Sequence, residues 1–181
     1  MSFISYLING VSLGSIYALI ALGYTMVYGI AKMLNFAHGD VIMIGAFVTY
    51  TVVSTWQMSP WLGIVAAIVV CTLLGMLIER VAYKPLRQAT SLAVLITAIG
   101  VSYFLQNIAL LIFGSDPKSF TSVVPVSDWQ LAGGQLTISG ETIVTILLSV
   151  VIMVALVLFI NKSKPGKAMK AVSEAVSYTH L

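Results

Sequence analysis

The stretch Asn35-Phe-Ala-His-Gly-Asp40 gathers an amide, an imidazole and a carboxylate within six residues. Histidine titrates near neutral pH and a carboxylate can orient it, so His38 with Asp40 has the makings of a proton relay or a catalytic pair. Nothing completes an active site around them: there is no Ser or Cys nucleophile motif, no second His at metal-ligand spacing and no glycine-rich strand-turn. The alternative chemistry is recognition of a solute. At membrane depth Asn, His and Asp are costly and usually face a cavity, a partner or the interface, and a helix interrupted there offers free backbone N–H and C=O groups to a solute. On the cytoplasmic side the same residues would form a turn in which Asp40 caps the next helix near its start. Both readings stand at this stage. Gln106-Asn107 is the other polar pair inside an apolar run, and amides at such depth are expected to bond across helices more than to touch solute. The candidate pathway residues are therefore Asn35, Phe36, His38, Gly39, Asp40, Gln106 and Asn107.

Composition decides the solvent in which elements position these groups. The 181-residue chain is 59% hydrophobic and 8% charged, with a mean hydropathy of +1.02, against roughly 25% charged for an ordinary soluble domain. So few polar groups cannot cover a water-soluble globule, and most of the outward surface must face acyl chains. The formal charge of +3 and pI near 9.0 do not point to nucleic acid, because the basic residues cluster beside apolar runs instead of lining a polar face. Cys71, the only cysteine, lies in an apolar run, can form no internal disulfide and reads as a small core hydrophobe. No Lys or Arg precedes the first apolar run, which reads as a span and not as a cleaved signal.

A transmembrane helix needs roughly 17–25 mostly apolar residues to cross a core about 30 Å thick. Residues 6–30, 61–78, 91–113 and 142–160 meet that length, whereas 41–56 is short unless it borrows from the polar stretch before it. The expected fold is an all-α integral membrane protein of about five transmembrane helices, the short one broken or re-entrant if the polar stretch lies at depth. Orientation follows from the cations, since Lys and Arg in short loops favour the cytoplasmic side. Arg80, Lys84 and Arg87 form one cluster and Lys162, Lys164, Lys167 and Lys170 another, so both belong inside. The segment 114–141 sets Lys118 against Asp116, Asp128 and Glu141 and belongs outside. Counting back over five spans puts Lys32 to Asp40 inside and the N-terminus outside, with Trp56, Trp61 and Trp129 on the outer side as an interfacial belt allows.

The first run carries Gly10, Gly14 and Ala18 at four-residue spacing, a small-residue face through which a helix packs closely against another in lipid. Within the external segment, residues 129–132 and 135–138 read as two short strands about Gly133-Gly134, a short external hairpin that either docks a soluble partner or joins two helices. No phosphate-binding loop of the Gly-x-x-x-x-Gly-Lys-Ser/Thr kind is present, so driving a solute uphill requires a partner with an ATP site. No cofactor is expected.

Taken in order, Asn9-Gly10, Gly14-Ser15, Tyr17-Ala-Leu19, Ala21-Leu-Gly23, Thr25-Met-Val-Tyr-Gly-Ile30 and Asn35-Phe-Ala-His-Gly-Asp40 resemble the start of branched-chain amino acid ABC transporter permeases of the LivH type. Glu79-Arg80, Ala82-Tyr83, Pro85-Leu-Arg87, Ile99-Gly100 and Leu105-Gln-Asn107 look like the next blocks of that family. The resemblance implies a multi-pass subunit of the bacterial inner membrane. It implies as partners a second permease subunit, two cytoplasmic ATPase subunits and a periplasmic amino-acid-binding protein. It also implies that the stretch from Gly166 to Glu174, with Lys167, Lys170 and Ser173, begins the cytoplasmic loop that engages the ATPase. After Glu174 the chain departs from the family pattern and reads Ala175-Val-Ser-Tyr-Thr-His-Leu181. The expectation is a partial permease domain over 1–174 followed by a non-native or truncated tail over 175–181, in which His180 carries no weight and from which no transport by these 181 residues alone is expected. Related permeases move urea, short amides or other amino acids, so the solute stays open. A membrane enzyme using His38 and Asp40, and a structural adaptor with no pathway, are the readings from other classes.

Overall fold

In lipid every backbone N–H and C=O must find a partner within the protein, so long apolar runs fold as helices that satisfy their own ladder. The computed structural model of the chain, which describes residues 2–31, 35–86, 88–119, 127, 129–131 and 136–179, follows that rule. Its elements are α1 (Ser2–Ala31), α2 (His38–Tyr50), α3 (Pro60–Ile78), α4 (Ser91–Phe113), β1 (Trp129–Leu131), β2 (Leu136–Ile138), α5 (Gly140–Lys162) and α6 (Lys164–Thr179). Helical backbone continues past α2 as a π-helical turn, Thr51–Thr55, and past α3 as a second, Glu79–Tyr83, followed by a 3-10 turn, Lys84–Leu86.

Four helical segments are long and apolar enough to cross a membrane: Phe3–Gly29, Pro60–Leu86, Ser91–Phe113 and Gly140–Lys162. They coincide with the four long runs expected above. The fifth, α2, does not reach that standard by composition, because it does borrow from the polar stretch and its first turn carries His38 and Asp40. Leu111, Phe3 and Trp61 are 84%, 77% and 77% exposed. Side chains of that size facing outward in such number need lipid, not water, around them.

The chain divides into two compact units, one made of Met1–Lys32 with Val124–Leu181 and the other of Met33–Val123. In the first, α1 lies against α5 and touches α6 and β2. The hairpin forms with antiparallel pairs Trp129 to Ile138, Gln130 to Thr137 and Leu131 to Leu136; its expected Gly-Gly turn lies outside the described residues. Ser139 caps α5, its hydroxyl accepting the Thr142 N–H at 3.2 Å. At the other end of α5 the chain turns sharply into α6: the Ser163 hydroxyl accepts the Gly166 N–H at 3.0 Å, and a Cβ on Gly166 would collide with the backbone of Phe159 and Ile160.

In the second unit α2 lies antiparallel to α3. The Cys71 thiol donates to the Val41 carbonyl at 3.4 Å, and further along Thr49 of α2 and Val53 of the π-helical turn after it face Gly63. Two glycines permit the approach: a Cβ at Gly45 would stand 2.8 Å from Cys71 Sγ, and one at Gly63 would stand 2.8 Å from Val53 Cγ2. Against α4, by contrast, α2 runs parallel, with Asp40 meeting Gln106 and the ring of Phe47 stacked on that of Phe113, centroids 4.5 Å apart. The buried cluster is Ala37, Ile78, Tyr83, Val94, Ala98 and Leu105, with Ala37 and Ala98 fully enclosed. Thr90 caps α4 through the Ala93 N–H, and Gly114 ends it with φ +80, the left-handed conformation glycine adopts freely.

Candidate functional site

The polar residues of the second unit come together at the start of α2. Before the helix, Asn35 to Ala37 form a short non-helical turn in which His38 N–H bonds the Asn35 carbonyl at 3.2 Å. Ala37, the residue at the N-cap position, supplies no side-chain cap. It is instead driven into the core between the ends of α3 and α4, which anchors the turn. Asn35 is held by a member of that core: its Oδ1 accepts the Tyr83 hydroxyl at 2.9 Å. Asp40 sits in the first turn of α2, where a negative charge complements the helix dipole, but it does not cap the helix as the turn reading expects. Its carboxylate faces α4, where Oδ1 accepts Gln106 Nε2 at 3.0 Å. Gln106 Nε2 also lies 3.2 Å from Ser102 Oγ, one turn back on α4.

Asp40 is only 7% exposed, and its second oxygen, Oδ2, is buried with no hydrogen-bond partner among the described residues. Its position along the helices matters. Gln106 lies about 22 Å along α4 from Ser91 at 1.5 Å per residue, well short of either end. The neighbouring Val41 meets Cys71, near the middle of the Pro60–Leu86 segment. Asp40 and Val41 therefore stand level with the interior of α3 and α4, whereas the turn before them meets the end of α3, where Asn35 bonds Tyr83 and Ala37 clusters with Ile78.

Of the seven residues singled out from sequence, Asn35, Asp40 and Gln106 are drawn into two long-range hydrogen bonds, the second of which joins two helices. Phe36 is 47% exposed, Gly39 is exposed with nothing within 4 Å of where a Cβ would be, and His38 is half-buried. Asn107 takes no part: its amide donates to the Tyr103 carbonyl of its own helix at 2.7 Å and its side chain is exposed. The amide pair is thus split, one member bonding across helices and the other along its own, because adjacent residues on a helix point about 100° apart. Sequence reasoning missed Tyr83 and Ser102 as members of the site. For Ser102 the four-residue spacing to Gln106 was a usable signal; for Tyr83 none existed, since its partner is 48 residues away.

The small-residue face of α1 is open in this chain. Gly10, Gly14 and Ala18 are exposed, and nothing lies within 4 Å of a Cβ at either glycine. On α6, Gly166 is buried in the joint with α5, Lys170 Nζ donates to Asn161 Oδ1 at 2.6 Å, and Lys167 and Glu174 are exposed. The side chain of Ser173 lies outside the described residues.

Residues 6–178 match the family described as branched-chain amino acid transport system, permease component. The chain is 40% identical over 190 residues to the high-affinity branched-chain amino acid transport system permease protein LivH of Escherichia coli (strain K12), an overlap of 99% of this chain and 61% of that protein. It is 40% identical over 192 residues to the corresponding protein BraD of Pseudomonas aeruginosa, covering 99% and 62%. With a probable LivH of Methanocaldococcus jannaschii it shares 32% identity over 165 residues, covering 86% and 50%. The chain spans about 61% of the length of the first two of these relatives. No solved structure matches it.

Proposed function

We infer function from one premise: this chain belongs to the permease-component family of branched-chain amino acid transport systems and is a multi-pass protein of the inner membrane. On that premise it is the membrane part of a permease subunit in an ABC importer that moves branched-chain or closely related amino acids into a bacterial cell. The family match across residues 6–178 carries the reading. The uncapped start of α2 supports it, since Asp40 in its first turn stands level with the interior of α4, where a solute can meet backbone groups and a carboxylate within the membrane.

Energy comes from separate ATPase subunits, the sequence having no phosphate-binding loop of its own. The element beginning at Gly166 engages them, and a periplasmic binding protein delivers the solute from the other side. The face of Gly10, Gly14 and Ala18 packs a further transmembrane helix, from the second permease or from the rest of the subunit. Asn35, Phe36, His38, Gly39, Asp40 and Gln106 line or shape the pathway. Asn107, bonded to its own helix, is dropped from it.

A chimera tests this. Residues 6–174 of this chain would replace the matching part of Escherichia coli LivH in a cell lacking its own permease. Uptake of labelled leucine, lost when the ATPase partner is deleted, is the expected result. A chimera that inserts and assembles but takes up urea or a short amide in place of leucine would reassign the solute, and one that takes up none of them would remove the transport reading.

A further inference from the structure

We propose that the first turn of α2 recognises both charges of a zwitterionic amino acid, with the free oxygen of Asp40 taking the ammonium group and the backbone N–H groups of Gly39 and Asp40 taking the carboxylate. The inference rests on the amino-acid reading above and names the groups that would do the recognising.

Two independent observations meet here. The first is the helix terminus: α2 starts at His38 without a side-chain cap, at a turn where Gly39 and Phe36 are exposed. A helix of 13 residues presents roughly half a positive charge at its N-terminus, and carboxylates bind such ends; here the His38 N–H is taken by the Asn35 carbonyl and that of Val41 by the Ala37 carbonyl, which leaves those of Gly39 and Asp40. The second is Asp40, whose Oδ1 is held by Gln106 while Oδ2 is buried and unpaired. A carboxylate oxygen enclosed by apolar helices is ordinarily paired with a cation or a donor, because an unmet buried charge is among the most expensive groups in a fold. Side chains on a helix lean toward its N-terminus, and Asp40 belongs to the same first turn as the N–H groups of Gly39 and Asp40. Opposite partial charges side by side on one helical turn match a molecule that carries ammonium and carboxylate on a single carbon. Gln106 orients the carboxylate without neutralising it, and Phe36 in the preceding turn offers an apolar surface to a branched side chain.

The assembled transporter carrying Gly39→Cys and Cys71→Ser provides the test, since open space at Gly39 admits a side chain. The introduced thiol is modified with N-ethylmaleimide in the presence of leucine, of 3-methylbutylamine, which lacks the carboxylate, or of 4-methylpentanoate, which lacks the ammonium group. Leucine at tenfold its Kd should slow modification about tenfold, as simple occupancy dictates, while neither analogue protects at the same concentration. Asp40→Asn should abolish the protection and Asp40→Glu should keep most of it. Protection that survives Asp40→Asn, or equal protection by an analogue, would overturn the proposal. A transporter that takes up leucine yet gives no protection would also overturn it while leaving the proposed function intact, whereas failure of leucine uptake itself would strike the function. If Asp40→Asn does not assemble, the analogue comparison in the otherwise unchanged transporter decides alone.

Discussion

Two amides adjacent in sequence illustrate how far a residue's worth depends on its partner. Gln106 donates to a buried carboxylate that has no other described bond, whereas Asn107 donates to a carbonyl of its own helix that is already part of the ladder. Replacing Gln106 by Leu strips Asp40 of its donor and should lower stability in detergent by about 1–3 kcal/mol, the usual penalty for orphaning a buried polar group. Asn107→Leu should change it by less than about 0.5 kcal/mol, since an exposed polar group gives way to an apolar one on a lipid-facing surface. Equal melting shifts for the two would mean that the Asp40–Gln106 bond contributes nothing. Tyr83→Phe isolates the other long-range bond, from the end of α3 to the turn before α2. A double-mutant cycle of Tyr83→Phe with Asn35→Ala should give a coupling of about 1 kcal/mol, and strict additivity would count against the 2.9 Å contact.

At the scale of elements, four glycines of similar appearance do three different jobs. Gly45 and Gly63 let α2 and α3 touch, Gly166 lets α6 fold against the end of α5, and Gly14 faces open space. Gly63→Ala should therefore cost about 1–3 kcal/mol by overpacking against Val53 and Thr49, while Gly14→Ala should leave the melting temperature of the isolated chain unchanged. The proposed outward role of Gly14 makes the bulkier Gly14→Leu the informative change: it should leave the isolated chain folded and prevent co-purification with partner subunits. Normal assembly and uptake with that change would assign the face to lipid. At the joint, Gly166→Ala places a Cβ in the backbone of Ile160 and Phe159, so α6 must swing away from α5. Crosslinking between cysteines introduced at Asn161 and Lys170, whose side chains meet in the native joint, should be lost with that change; undiminished crosslinking would show that the joint tolerates the methyl group.

For the whole molecule the open quantity is the number of crossings, and it turns on α2. Lysine bias predicts that Lys84 and Lys167 are cytoplasmic and Ser119 external. In a Cys71→Ser background, Ser119→Cys should react with an impermeant thiol reagent added outside, and Lys84→Cys and Lys167→Cys should not. Labelling of Ser2→Cys then counts the spans: reaction from outside corresponds to five crossings, and protection to four with α2 entering without leaving on the far side. Outside labelling of Lys167→Cys would reverse the orientation altogether.

How much of this was legible without tertiary structure follows from what each feature depends on. The ends of α3 and α4 agree with the apolar runs to within a residue, and the hairpin pairs where its alternating residues stand, because run length against bilayer thickness and local turn chemistry are properties of contiguous sequence. The meaning of the polar stretch was undecided, as a turn at the membrane surface and a break at depth use the same residues. Only the partners separate them. Asp40 pairs with a residue 66 positions away, inside α4, and Asn35 with one 48 away, just past the end of α3. Which glycine faces are closed was hidden for a related reason. Helices apolar on every side carry no amphipathic pattern to mark the packed face, so in lipid the choice between Gly63 against a neighbour and Gly14 against open space rests on which helix lies opposite.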